Sequence, residues 1–267
     1  MDAPIGVFDS GVGGLSVLRE LRVRVPEEDI VYAADSGHLP YGPKPPEFIR
    51  QRSLAITRYL IEREHARLIV VACNTATAHA VDLLRATFAI PIVGIEPAVK
   101  PAARATRSGV VGVLATDGTL GGDRFASLVE RYGENVEVVT QPCPGLVEQV
   151  EAGDLAGPIT VDLLRRYTAP MLARGADTIA LGCTHYPFLA DALRDVVGPS
   201  VTLIDPGAAV ALQATRVLPA RHALTGAGAM PAKGRVRFLT SGDVNAVRPV
   251  IERLWNEPVV DVERLPV

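Results

Sequence analysis

Cysteine is scarce in this 267-residue chain, and so are aromatic rings: three cysteines, with Phe, Trp and Tyr together at 5%. Three thiols cannot all pair and none stands in a C-x-x-C, which argues against a disulfide framework and a zinc ribbon. Free thiols persist in reducing compartments, so a cytoplasmic protein is expected. Charge of one sign is not in excess either, with 27 basic against 30 acidic residues and a net charge of −3. Nucleic-acid binders carry a basic surplus, so no nucleic-acid partner is expected. Apolar runs fall short of a transmembrane helix, and Met1-Asp2-Ala3-Pro4 lacks the features of a signal peptide; no membrane association is expected. Among the five histidines no spacing suggests a metal site. His38, His65, His79 and His222 read as surface residues.

Aliphatic residues are plentiful. Hydrophobic residues reach 48% with few rings, so the core must be Val, Ile, Leu and Ala, which suits parallel strands buried under helices. Strands are expected at 5–8, 30–33, 68–72, 90–95, 110–115, 136–139, 179–182, 201–204, 236–239 and 259–262. Helical spacing follows Leu15, Phe48 and Asn74, and recurs over 144–152, 157–173, the stretch through Leu193 and Val197, 207–217 and 244–254. The Ala-, Gly- and Pro-rich stretch Pro219 to Gly234 reads as an exposed connection. This alternation predicts an α/β fold with doubly wound parallel sheets. A glycine-rich turn after an opening strand, then a cysteine at a later strand end, occurs twice, which points to an internal duplication. The expected domains are 1–96 joined by 208–267, whose C-terminal segment packs back, and 97–207.

Chemistry gathers at the predicted carboxyl ends of strands, where an open parallel sheet holds its ligands. Leu68-Ile69-Val70-Val71-Ala72 runs into Cys73, Asn74 and Thr75. Ile179-Ala180-Leu181-Gly182 runs into Cys183, Thr184 and His185. A single cysteine is most simply a small buried hydrophobe, but two set alike among polar side chains point to a site; Cys143, between Pro142 and Pro144, has no such setting. His185 either readies a thiol or passes a proton itself, or caps a helix. Asp9-Ser10-Gly11-Val12-Gly13-Gly14 is a strand-to-helix turn whose N–H groups suit an anion. It lacks a full nucleotide fingerprint, so a substrate carboxylate is the expected guest, with Ser10 donating and Asp9 answering an ammonium or a thiol. Pro40-Tyr41-Gly42, Thr116 and Thr119 add further groups at predicted strand ends.

Taken together, Phe8-Asp9-Ser10-Gly11-Val12-Gly13-Gly14-Leu15, Pro40-Tyr41-Gly42, Ala72-Cys73-Asn74-Thr75-Ala76-Thr77 and Gly182-Cys183-Thr184-His185-Tyr186-Pro187 resemble the glutamate racemases of the cofactor-independent amino-acid racemase superfamily. The resemblance runs almost end to end. It implies two similar α/β domains with the active site between them, glutamate as substrate, no cofactor, a homodimer, and D-glutamate for peptidoglycan as product. It further implies that Cys73 and Cys183 are the two catalytic bases, Asp9 assisting the first and Glu151 with His185 the second. Ser10, Pro40, Tyr41, Gly42, Asn74, Thr75, Thr116, Thr119 and Thr184 are the implied substrate-binding set. Ser36-Gly37-His38-Leu39 and Gly122-Asp123-Arg124-Phe125 depart from the family's commoner pattern. Some members carry an N-terminal extension tied to activation by a peptidoglycan precursor; with the first strand starting within five residues, that device is expected to be absent.

Three other readings stay open at this point: a racemase for aspartate or another small amino acid, a cysteine hydrolase using Cys183 with His185, and a dicarboxylate-binding protein without turnover.

Overall fold

The computed structural model describes residues 3–133, 135–218, 233–255, 257 and 261–267. The chain alternates strand and helix: β1 Ile5–Asp9, α1 Leu15–Arg24, β2 Ile30–Ala34, α2 Pro46–Glu62, β3 Leu68–Val71, α3 Asn74–Thr87, β4 Ile92–Gly94, α4 Val99–Ala105, β5 Val110–Ala115, α5 Asp117–Leu120, α6 Asp123–Tyr132, β6 Glu137–Pro142, α7 Leu146–Glu151, α8 Pro158–Ala173, β7 Thr178–Gly182, α9 Ala190–Val197, β8 Thr202–Ile204, α10 Gly207–Val217, β9 Val236–Thr240, α11 Val244–Trp255 and β10 Val262–Arg264.

Two parallel sheets result, ordered β10-β9-β2-β1-β3-β4 and β6-β5-β7-β8. Setting β5 to β8 beside β1 to β4 gives the same order, β2-β1-β3-β4, so the repeat read from sequence is a repeat of topology. Both cysteines of interest follow the strand next to their sheet's opening strand, Cys73 after β3 and Cys183 after β7. Side chains alternate faces along a strand, and the apolar packing obeys this. Val7, Tyr32 and Val70 pack with α1, α10 and α11, whereas Phe8, Val31 and Val71 pack with α2 and α3. In the smaller sheet Leu114, Ile179 and Leu181 face α7, α8 and α9, and Val111, Val113 and Ala180 face α4 and α6. Each sheet is therefore covered on both sides, as the uninterrupted β3 sequence LIVV requires. The inner faces of both sheets share a single apolar cluster.

Three helices went unread in the sequence. In α6 the signal was present, since Phe125, Leu128, Val129 and Tyr132 recur at helical spacing and pack on Val111 and Val113. α5 lies inside the expected Gly-rich turn and starts because Thr116 Oγ1 accepts the Thr119 N–H at 3.2 Å. α4 is seven residues long, too short for periodicity to declare it. The last strand begins at Val262; expected positions 259 and 260, and most of the predicted connection from 219 to 234, lie outside the described residues. No described helix is long and apolar enough to cross a membrane.

Candidate active site

The carboxyl ends of β1, β3, β5 and β7 converge on a narrow cavity. Ser10, Pro40, Tyr41, Gly42, Cys73, Asn74, Thr75, Thr116, Val147, Cys183, Thr184 and His185 line it, so one space contains both thiols. Apart from Val147, every lining residue belongs to the predicted set; Asp9, Glu151 and Thr119 stand behind the wall. Cys143 does not line it. A larger cleft beside Arg22, Asp29 and Trp255 contains no described cysteine or histidine, so chemistry rather than size marks the site.

Cys73 is the N-cap of α3, and its sulfur accepts the Ala76 N–H at 3.4 Å. A helix N-terminus favours a thiolate. Its other polar contact is Ser10 Oγ at 3.7 Å. Cys73 is 5% exposed, and burial pushes its thiol up, with the Asp9 charge adding to the effect. Asp9 makes its described bonds elsewhere: Oδ1 accepts from the Gly11 N–H at 2.8 Å and Oδ2 from Thr184 Oγ1 at 3.2 Å, across the two sheets. Burial raises the Asp9 carboxyl, and nearby His185 opposes that rise.

Cys183 has different company. Its sulfur lies 3.6 Å from His185 Nδ1, and His185 Nε2 lies 2.7 Å from Glu151 Oε1, a carboxylate–imidazole–thiol chain. His185 is buried. Burial alone would lower its pKa, but the bonds to Cys183 and Glu151 outweigh this and hold it well above the usual imidazole value. The ring so biased stands between the thiol and the Glu151 carboxylate.

In the glycine turn two N–H groups already hold anions of the protein itself: the Val12 N–H donates to Glu151 Oε1 at 2.7 Å and the Gly11 N–H to Asp9. These glycines are required by close approach. A Cβ on Gly11 would stand 1.9 Å from Glu151 Oε1, and one on Gly13 would stand 2.3 Å from His185 Nδ1. Ser16, missed in the sequence, ties the same turn to the second sheet by bonding Thr184 O at 2.9 Å.

Thr75 and Thr116 in the cavity wall and Thr119 behind it form a triangle of hydroxyls with separations of 2.8, 3.2 and 3.0 Å. Asn74 is 3% exposed, and neither its amide oxygen nor its nitrogen has a partner. A buried, unsatisfied amide in a cavity wall is a site for a polar ligand. The Tyr41 hydroxyl is already taken, donating to Asp35 Oδ2 at 2.6 Å. Two histidines read as surface residues have partners here: His79 Nε2 lies 2.8 Å from Gly118 O, and His38 Nδ1 lies 2.9 Å from Asp35 Oδ1. His222 lies outside the described residues.

A repeated α/β layout that brings two strand-end thiols to one small cavity has the design of an isomerase acting on a small molecule. A family model described as Asp/Glu/Hydantoin racemase matches residues 5–214. The chain is 55% identical to the glutamate racemase of Methylococcus capsulatus, over 94% of this chain and 92% of that one. Among solved structures it is similar to the Escherichia coli glutamate racemase in complex with L-glutamate and the activator UDP-MurNAc-ala (34% identity, TM-score 0.84, 98% of each chain). It is also similar to glutamate racemase isoform RacE1 of Bacillus anthracis (29% identity, TM-score 0.86, 99% of this chain and 98% of that one). The chain belongs to the Asp/Glu/hydantoin racemase family, and it is an isomerase.

Proposed function

We propose that this protein interconverts L- and D-glutamate by moving a proton between two thiols, one on each side of the substrate α-carbon. The observation that carries the reading is the shared cavity: Cys73 and Cys183 arrive from equivalent strands of different sheets and line the same small space. Inverting a stereocentre needs removal of a proton on one face and delivery on the other, so one sulfur must be a thiolate while its partner is a thiol. The two sulfurs have unequal neighbours among the described residues. Burial favours the thiol at Cys73, and an imidazolium backed by Glu151 stands beside Cys183. Cys183 therefore starts as base and Cys73 as acid in one direction, and the states exchange in the other. His185, held by Glu151, stabilises the Cys183 thiolate and takes part in its reprotonation. On the Cys73 side, Ser10 and the α3 N-terminus offset the cost of forming a buried thiolate, and Asp9 acts at longer range.

The remaining difficulty is the weak acidity of an α-hydrogen beside a charged carboxylate. Aimed donors in a water-poor cavity lower that barrier. Asn74, whose amide has no partner among the described residues, supplies a donor for the α-carboxylate, while Thr75, Thr116 and Thr119 receive the distal carboxylate. Domains 1–96 with 208–267 and 97–207 part to admit substrate and close over it. The expected setting is the cytoplasm, where D-glutamate supplies peptidoglycan synthesis, and the expected assembly is a homodimer. Glutamate is preferred over aspartate as substrate because the highly similar full-length relatives carry that name.

The deciding experiment offers each glutamate enantiomer, and L-aspartate, to the purified protein in heavy water. Deuterium at the α-position of both glutamates during loss of optical rotation is the expected result. Binding without α-exchange would make it a dicarboxylate binder, and exchange confined to aspartate would reassign the substrate.

A further inference from the structure

The sequence draws attention to Pro40-Tyr41-Gly42 but gives no reason for the tyrosine, whose hydroxyl points away from the reaction. Its partner is Asp35, at the end of β2 and fully buried. One carboxylate there collects five hydrogen bonds. Oδ1 takes Arg52 Nη2 at 2.7 Å, Ser241 Oγ at 2.6 Å and His38 Nδ1 at 2.9 Å; Oδ2 takes Tyr41 OH at 2.6 Å and Arg52 Nε at 3.0 Å. The Asp35 N–H also donates to Asp9 O at 2.9 Å, fixing the hub to the catalytic turn. Burial would raise this carboxyl, but the donors from Arg52, Ser241 and Tyr41 hold it below its ordinary value.

The geometry of this hub leads into the site. Tyr41 is 1% exposed, and its ring forms cavity wall between Pro40 and Gly42. On its far side the same segment abuts the second half of the chain, since a Cβ on Gly42 would stand 3.0 Å from Thr116 Cβ and one on Gly118 would stand 2.8 Å from Gly42 O. The wall is held at the Tyr41 hydroxyl by Asp35 and at Gly42 by the threonine-bearing α5. Ser241, just after β9, and Arg52, on α2, hold Asp35 in turn. Arg52 Nη2 also donates to Val267 O at 3.1 Å. A path of charge-assisted bonds thus joins the C-terminal strands to the cavity.

We propose that Asp35 is a positioning residue for the reaction: through Tyr41 it sets the Pro40–Gly42 wall against the substrate, and through Ser241 and Arg52 it makes that setting depend on the C-terminal strands. The proposal rests on the reading of the cavity as the racemisation site. Asp35 touches no reacting atom, so its effect falls on substrate binding and not on proton transfer.

A double-mutant cycle tests it, with KM and kcat measured for both glutamate enantiomers. Asp35→Asn sets an amide against donors whichever way it turns, and Tyr41→Phe removes the bond from the other end. Each single variant is expected to raise KM about tenfold with kcat within about twofold. The double variant is expected to be no worse than the poorer single one, because both act through one contact. If Asp35→Asn does not fold, Ser241→Ala takes its place, leaving the Arg52 pair intact; a rise in KM of about threefold, absent in the Tyr41→Phe background, is then expected. Additive effects, or a loss confined to kcat or to melting temperature, overturn the proposal while wild-type turnover leaves the racemase reading standing. A wild-type protein that exchanges no α-proton overturns that reading first.

Discussion

Cys73 and Cys183 leave equivalent strands of a repeated fold, yet they are served in different ways. Cys183 sits at the end of a chain of titrating side chains, His185 and then Glu151. Cys73 has a hydroxyl, a helix N-terminus and a carboxylate that bonds elsewhere. The repeated topology offers two similar places for a thiol, and the groups set around each one differ. A reaction that is symmetric in its chemistry can therefore run on machinery that is not.

The most drastic way to break the comparison is to remove one thiol. Cys73→Ala and Cys183→Ala are each expected to slow racemisation by about a thousandfold or more, read by optical rotation. Full activity in Cys73→Ala would sink the two-thiol mechanism and revive a hydrolase-like role for Cys183. Next in size is Gly11→Ala, whose new Cβ would displace the Glu151 carboxylate. A loss of about a hundredfold is expected from misplaced groups, with Cys73 still alkylated by iodoacetamide as in the wild type.

Helper variants sharpen the comparison. Equal free energies of two enantiomers force kcat/KM to be the same in both directions, so asymmetry must appear in kcat and KM separately. Glu151→Gln is expected to lower kcat by tens of fold, chiefly in the direction where Cys183 removes the proton. Ser10→Ala should act chiefly in the opposite direction. Matching losses in both directions for both variants would remove the division of labour. A smaller signal lies in stability. The His185 pKa is raised on folding, so its contribution is fully present below about pH 6.5 and lost as pH climbs through the raised value. Melting temperature should therefore fall as pH rises through that value by a few degrees (about 2–4 °C per kcal/mol for a chain of this size), and His185→Asn should flatten the slope. The least effect is expected from Arg124→Ala. This residue joins α6 to Asp82 and Glu96 at a partly exposed rim, and its loss should cost about 1 kcal/mol or less in urea unfolding.

The sheets and the cavity wall were legible because they are written locally. An apolar run ending in Cys73-Asn74-Thr75 declares a strand, a boundary and a polar strand end within eight residues. Val147 was passed over because a valine on a short helix looks like core, and only the fold turns it to the cavity. What could not be read were bonds between distant residues. Glu151 is 139 positions from the Val12 N–H it occupies, and nothing near Asp9 announces that the turn's anion comes from within the chain. The same holds for Asp35 and Ser241, 206 positions apart.

The occupied turn carries a consequence for how such a chain can change. Gly11 and Gly13 are bare because side chains from the other half fill the room where theirs would grow. Neither half can then be exchanged for a cousin's as a free-standing part. A chimera that joins the first half of one racemase to the second half of another would inherit a lock cut for a different key, unless the turn and its two guests travelled together.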